Sequence, residues 1–565
     1  MRRVVRSVVL AGLTGSLMLS AAWAGVGLAP MSAPSLTTVD GVPTPATRLA
    51  GADANALQPS TRDLGSAAFG ANPARLEAGQ LLVGAAKTSM APRPDRADKK
   101  RFPGARWEID PVKCKTLAPE WFQDLPTAAV NALDGIANPG STWPENPNCI
   151  YQGGFGLGPM NPVKSFDTTL GLWVRSMAFS DGKQTLVTTV LDGEGWLWDY
   201  KSKCTDCGAK QIAAALANDP ELKARGVTPA SHILHATHSH ASPDFIGGWG
   251  FVPNWYMAQI TDAIKSTAKQ AVLSMEAATL ETGEQEARAF NSERRDTYRS
   301  AEEAQISWVR AVAVVPKGRA KARAVIATLG AYAAHPTSVG TNKGVAHPDW
   351  PGLFEQRLEQ RFGGIGLHFM TGLGNLSNSG GVTIGSKLAD LIPPVGEGRP
   401  VDDTTIKLSQ VTATSALTNV PLSALGTPGL FDRKFNPTPA VVNTGENPTA
   451  PCLSASAQSV ELPLSAARIG NDLVFTAAPG EVFANFTNTV REKNVGRITF
   501  PLAQANDALG YMPQSFEINP VGQQGLGFVA GGFVFVNYED SYAIDRCTGD
   551  LILEETLKLL DTVKK

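Results

Sequence analysis

At 565 residues the chain is long enough to bury a large core and, by length alone, to form roughly two to four domains. Its charge is nearly balanced, 50 Lys and Arg against 52 Asp and Glu for a formal net of -2, with no long run of one sign. Nucleic acid is therefore excluded as an expected partner, because phosphate binding needs a clustered cationic face.

Met1 to Ala24 reads as a secretory signal peptide: Arg2, Arg3 and Arg6 give a basic start, Val8 to Ala22 a mostly apolar run, and Ala22-Trp23-Ala24 a small-x-small cleavage site. The mature protein is expected to be secreted. No later run of about 20 apolar residues follows, so no transmembrane segment is expected and contact with a membrane surface would be transient. Residues 25–76, rich in Ala, Pro, Thr, Ser and Gly without a sustained apolar period, read as a flexible leader, which leaves 77–565 as the folded domain. Six cysteines in an exported chain imply disulfides. Cys204-Thr205-Asp206-Cys207 reads as a short-loop bridge rather than half of a zinc knuckle, since no second close pair follows it. The connectivity of Cys114, Cys149, Cys452 and Cys547 is not legible.

Gln80 to Lys87 is the first strand-like run, and Pro92 to Asn148 reads as a long ordered insertion. Leu170 to Phe179 alternates, Ser180-Asp181-Gly182-Lys183 supplies a hairpin turn, and Thr185 to Leu191 has the β-branched composition of a strand that feeds Asp192-Gly193-Glu194-Gly195. Helical spacing at Gln211 to Asn218 and at Trp255 to Met275 flanks Ser231 to Asp244, which holds four of the seven histidines. That stretch reads as a buried strand delivering its last residues into a cleft. Side chains two apart on a strand point the same way, so His238 and His240 are expected to face one side, a natural seed for a zinc site.

Ser307 to Val315 and Ala324 to Tyr332 read as paired strands, the second leading into Ala334-His335-Pro336-Thr337-Ser338. Asp349 to Phe362 reads as a helix, and Leu367 to Met370 as a strand that opens into the Gly/Asn/Ser loop Thr371 to Gly381. Leu473 to Thr476 is a strand ending in Pro479-Gly480-Glu481, where a carboxylate at a strand-to-helix turn can point inward to a metal. A helix from Phe483 to Lys493 follows, and Leu551 to Leu560 closes the chain as an amphipathic helix. The alternation predicts an α/β fold, a layered domain of mixed β-sheets flanked by helices, with a zinc site at strand ends.

Two zinc families compete for Thr237-His238-Ser239-His240. The metallo-β-lactamase pattern places an Asp two residues after the second His, where this chain has Ser242; the nearest Asp is Asp244. The other pattern extends along the chain. Thr237-His238-Ser239-His240, Ala334-His335-Pro336-Thr337-Ser338, Gly372-Leu373-Gly374-Asn375-Leu376-Ser377, Pro479-Gly480-Glu481 and Gly510-Tyr511 are similar, in the same order, to motifs of the neutral/alkaline ceramidases. The chain resembles that family, zinc amidases that cleave the N-acyl bond of ceramides, over about residues 77–545.

The resemblance implies one Zn2+ per chain, held by His238, His335, Glu481 and Tyr511. It implies that Ser377 is the serine associated with catalysis, that His240 lies just outside the metal, and that Arg294 and Tyr538 belong to the active site. Three departures stand out. The chain leaves no room for the C-terminal immunoglobulin-like domain of family members; Pro336 follows His335 where members have Gly; and a Gly-rich insertion runs from Val521 to Gly532.

The chemistry agrees with the resemblance: two imidazoles and a carboxylate leave a zinc position for water, with His240, Tyr511, Arg294 and the backbone near Asn375 as donors for a tetrahedral oxyanion. A serine hydrolase built on Ser377 would need a nucleophile elbow, and no Gly-x-Ser-x-Gly is present. The expected function is a secreted zinc amidohydrolase acting on ceramide or a similar lipid amide. The alternatives are a zinc hydrolase of an ester, lactone or N-acyl amino compound, and a non-catalytic binding protein on the same scaffold.

Overall fold

The β-branched and apolar runs in the first two thirds of the chain pair into one mixed sheet. Its long strands are β1 (Leu81–Ser89), β2 (Trp173–Ser180), β3 (Thr185–Leu191), β4 (His232–Ala236), β5 (Glu276–Glu286), β6 (Gln305–Ala313), β7 (Val325–Tyr332) and β8 (Ile365–Met370). They lie side by side as β8-β7-β6-β5-β1-β2-β3-β4, with Arg399–Pro400 also pairing with β5. Neighbours run antiparallel except β3 with β4 and β7 with β8. The computed structural model describes residues 76–77, 79–114, 147–154, 161–295, 301–314, 324–419, 431–444, 452–494, 497–518 and 538–564. The expected signal peptide, the leader to residue 75, much of Pro92 to Asn148 and the Gly-rich stretch 521–532 lie outside them.

A second sheet, of which only the strand at Leu473 to Thr476 is legible in the sequence, contains β9 (Ile406–Ala416), β10 (Ser459–Ile469), β11 (Leu473–Ala477) and β12 (Ile498–Leu502) in that spatial order. Its first three strands are antiparallel and its last pair parallel. The two sheets meet face to face through one buried cluster. Ala327, Leu329, Ala331, Leu367 and Phe369 on the first sheet share it with Phe475 and Phe500, which stack at 4.6 Å between ring centroids. Each such large side chain contributes about 1.5–3 kcal/mol on burial.

The period of two sends the alternate residues to the opposite face. There Gly330 lies under Phe354 and Gly366 under the backbone of Glu355, both on helix α3 (Asp349–Phe362). At Gly84 on β1 a Cβ would lie 2.1 Å from the carbonyl oxygen of Ala271, so only glycine lets α2 (Asn254–Leu273), which follows α1 (Ala209–Asn218), rest on the sheet backbone. On the second sheet, the apolar stripe of α5 (Thr548–Lys564), with Ile552, Leu559 and Leu560, joins Leu462 and Leu464 of β10. The order is thus helix, sheet, sheet, helix, the layered α/β fold expected.

Disulfides join Cys114 to Cys149, Cys204 to Cys207 and Cys452 to Cys547. Among the described residues no helix is long and apolar enough to cross a membrane. The three parallel pairs β3/β4, β7/β8 and β11/β12 each set two C-terminal strand ends side by side. Glu194, His238, His335, Ser377, Glu481 and Gln504 all lie in the segments that leave those ends, the place where open α/β sheets gather ligands.

Candidate metal centre

Strand β4 stops at Ala236, so the alternation expected to aim His238 and His240 together does not reach them. His238 instead sits in the left-handed region at φ 59°, and its N–H donates to the Gly193 carbonyl at 3.0 Å. A loop, rather than a pleat, brings the two rings together, nearly perpendicular with centroids 5.0 Å apart. His335, three residues past β7, brings its ring to 5.3 Å from His238 and 5.7 Å from His240. One ring nitrogen from each of the three lies within 4.8 Å of the others, and all three residues are buried.

Two of the three rings are held alike. His238 Nδ1 lies 2.7 Å from the Glu194 carbonyl oxygen and His335 Nδ1 lies 3.2 Å from that of Leu376. A carbonyl can only accept, so each Nδ1 carries a proton toward it and each Nε2 is turned the other way. Both Nε2 atoms face the same oxygen: Glu481 Oε2 is 3.6 Å from His238 Nε2 and 3.0 Å from His335 Nε2. Tyr511 pairs with Glu481 between the two-residue strands Glu481–Val482 and Tyr511–Met512. Its hydroxyl lies 3.4 Å from His335 Nε2.

Arg294 closes this side. Its guanidinium donates to the Tyr511 hydroxyl at 2.8 Å, to the Gly374 carbonyl at 3.0 Å and to Glu539 at 2.7 Å. Its neighbour Arg295 turns instead into the interior, donating to Asp540 at 2.7 Å. Ser377 is half-buried, its backbone pairing with Ser292 and bridging to His335. Asn375 pins structure: it donates to the Ala301 carbonyl and accepts from the Ala484 N–H, both at 2.9 Å, where α4 (Ala484–Glu492) begins. Tyr538 opens the short helix Tyr538–Ser541, and its side chain lies outside the described residues.

Burial dominates the electrostatics. It pushes His335 down to about 4, with the Arg294 charge adding to the effect. At His238 burial acts downward but is outweighed by Glu194 and Glu481, which lift the imidazole to about 9. Glu481 is the reverse: burial acts upward, yet His238 and His335 hold its carboxyl well below the usual range. Two anchored imidazoles with converging Nε2 atoms, an ionised carboxylate between them and a phenol alongside form a donor set that fits zinc. A divalent cation there would replace the proton that His238 otherwise carries.

Glu194 was missed as a site residue. It is fully buried, and Oε1 lies 3.7 Å from both His238 Nδ1 and His240 Nε2. Burial raises its carboxyl to about 8, against the pull of His238. The available signal was an acid between glycines just past a β-branched strand, the same kind of signal that singled out Glu481. Gln504, also missed, places Nε2 3.4 Å from His238 Nδ1.

No protein-family model matches the sequence, and no curated protein does. Among solved structures the chain is similar to neutral ceramidase from Pseudomonas aeruginosa, with a TM-score of 0.53 at 15% identity over 86% of this chain and 74% of that one. It is equally similar to a ceramidase complexed with C2, with a TM-score of 0.53 at 13% identity over 86% of this chain and 76% of that one. At these identities the likeness is one of fold, and the layered domain described above has the fold of those ceramidase structures.

Proposed function

We propose that this chain is a secreted zinc-dependent amidohydrolase that cleaves the N-acyl bond of ceramide or a similar lipid amide. The observation that carries the reading is the pair of carbonyl-anchored imidazoles whose Nε2 atoms share Glu481 Oε2, in a fold similar to that of neutral ceramidases. In this reading His238, His335, Glu481 and Tyr511 hold the ion. Bound zinc supplies Lewis acidity, polarising an acyl carbonyl and making water a usable nucleophile near neutral pH.

The chain's own groups do the rest. Arg294 keeps its positive charge although burial works against it, because Tyr511, Glu539 and Glu481 outweigh that effect. It and the Tyr511 hydroxyl supply donors for the negative charge that develops on the acyl oxygen. Ser377, beside His335, contacts substrate, and Tyr538 is assigned to the active site by the family resemblance alone. Removal of residues 1–24 gives the exported form, a reading that three disulfides support. The lipid would be taken up in transient contact with a membrane surface.

Metal analysis of the purified protein with a hydrolysis panel of ceramides, other N-acyl amides and short esters tests the reading. About one zinc per chain and preference for long-chain amides are expected, with both metal and turnover lost in His238→Ala. Absence of zinc, or a His238→Ala variant as active as the parent, would sink it. Preference for short soluble esters would move the chain to a different acyl substrate.

A further inference from the structure

The near-balanced charge of the chain conceals one local excess. Residues 93–106 hold six cations, Arg93, Arg96, Lys99, Lys100, Arg101 and Arg106, against the two acids Asp95 and Asp98, a formal +4 in a chain whose net is -2. All six cations are exposed. Arg93 pairs with Asp95 at 2.9 Å and Arg101 with Asp206 at 3.3 Å, whereas Arg96, Lys99, Lys100 and Arg106 have no ion pair among the described residues. Asp98 Oδ1 instead accepts the Lys100 N–H at 2.9 Å, so its carboxylate shapes the turn.

The cations stand on a fixed platform. The Arg93 N–H donates to Gln259 Oε1 at 2.8 Å and the Arg106 carbonyl accepts from Trp255 Nε1 at 3.1 Å, so both ends of the segment are fastened to α2. Phe102 and Trp107 pack against the core beneath. Just past the cations the Ile109 side chain is 52% exposed. Its neighbour Glu108 bridges to Cys149, and five residues further on Gly154 lies against His240. Five residues of chain span at most about 18 Å, so the segment runs close to the candidate metal centre.

Clustered cations alone would suit any polyanion. An apolar side chain projecting beside them suits a bilayer, where headgroup phosphates take the charges and the interface takes the isoleucine. We propose that residues 93–109 dock the protein on an anionic phospholipid surface, with Arg96, Lys99, Lys100 and Arg106 over the headgroups and Ile109 entering the interface. The occupant rests on the reading of the chain as a lipid amidase, but docking is measured without hydrolysis.

Co-sedimentation of the purified protein with vesicles of phosphatidylcholine, alone or mixed with phosphatidylglycerol, tests this. The parent should bind the mixed vesicles, ignore the neutral ones and come off in about 1 M salt, where charges are screened beyond about 3 Å. Combining Arg96→Ser, Lys99→Ser, Lys100→Ser and Arg106→Ser should weaken binding on the order of 100- to 1,000-fold, from about fivefold per cation near the surface. Ile109→Ser should weaken it about tenfold. Both variants should hydrolyse a short-chain ceramide in free solution at the parental rate. A control combining Lys183→Ser, Lys223→Ser, Lys387→Ser and Lys493→Ser, at exposed cations on other elements, should keep most of the binding. Equal binding to both vesicle types, parental binding by either patch variant, loss of their soluble hydrolysis, an equal loss of binding in the control, or a DNA duplex bound as tightly as the mixed vesicles would overturn the proposal. A parent that docks but hydrolyses no lipid amide fails instead at the proposed function.

Discussion

Gly154→Ala isolates how tightly the loop before residue 155 holds His240. Gly154 has φ 83°, where an L-residue costs about 1–2 kcal/mol. Its added Cβ would also lie 2.2 Å from His240 Cγ and 2.3 Å from Nδ1, so the ring or the loop must move. Overpacking of that kind costs about 1–3 kcal/mol more. Gly182 is the matched control: it has φ 84° in the hairpin between β2 and β3, and nothing lies within 4 Å of a Cβ there. Gly182→Ala should therefore lose only about 1–2 kcal/mol in urea unfolding and keep full hydrolysis. Gly154→Ala should lose about 2–5 kcal/mol, the sum of the two effects, and most of its hydrolysis. Its zinc content should stay at the parental level, because the three atoms nearest the new methyl group all belong to His240, outside the proposed ligands. A Gly154→Ala protein as stable and as active as Gly182→Ala would mean that His240 is not packed where the geometry puts it.

Three other perturbations probe separate parts of the molecule. Arg294→Ala removes the donors to Tyr511 and Gly374, and kcat/KM should fall by about 100-fold if the guanidinium serves the developing oxyanion; an unchanged value would remove Arg294 from the active site. Replacing both Cys452 and Cys547 by Ser opens a loop with a sequence separation of 95 and should cost about 4.7 kcal/mol by chain entropy. The same change at Cys204 and Cys207, separated by 3, should cost under about 2 kcal/mol, and equal losses in urea unfolding would contradict that account. Burial pushes the Glu517 carboxyl up to about 7, from an ordinary 4.5. Between those values the unfolded chain has released a proton that the folded chain keeps, so the contribution is full below pH 4.5 and falls away as pH rises through about 7. The loss is on the order of 3 kcal/mol. Glu517→Gln should flatten this part of the stability profile between pH 4 and pH 8, and an unchanged slope would count against it.

Much of the first sheet is legible in the sequence because its strands carry their own signals. The turn at Asp181-Gly182 and the β-branched run to Leu191 announce β2 and β3, and the apolar run before His335 announces β7. Two of the strands that escaped notice have charged or polar residues breaking into their apolar alternation. In β5, Glu276, Glu281, Glu284 and Glu286 interrupt the alternation, and Glu281 is drawn in by Arg310 at 2.8 Å. In β9, Lys407, Ser409 and Gln410 disguise a strand whose hydrogen bonding is settled by β10, more than 40 residues further along the chain. Such strands exist because of their neighbours, and a local pattern cannot report a neighbour.

The site divides the same way. His335 and Glu481 are readable since each follows a strand directly, whereas which strands run parallel, and so bring their ends to one edge, is information between segments. Arg294 and Arg295 are adjacent and chemically identical, yet one reaches Tyr511 and the other is buried against Asp540; the sequence offers nothing to choose between them. Glu194 is the sharper case, because Asp192, two residues earlier, is also an acid beside a glycine just past the same strand. Asp192 Oδ2 accepts the Trp173 N–H at 2.7 Å and pairs with Arg175 at 3.2 Å, so its charge is already committed to holding the hairpin. The Glu194 carboxylate has no such commitment and faces two imidazoles. An acid becomes a candidate for chemistry through the acceptor capacity its surroundings leave unused, a property of packing that two neighbouring carboxylates in the same loop need not share.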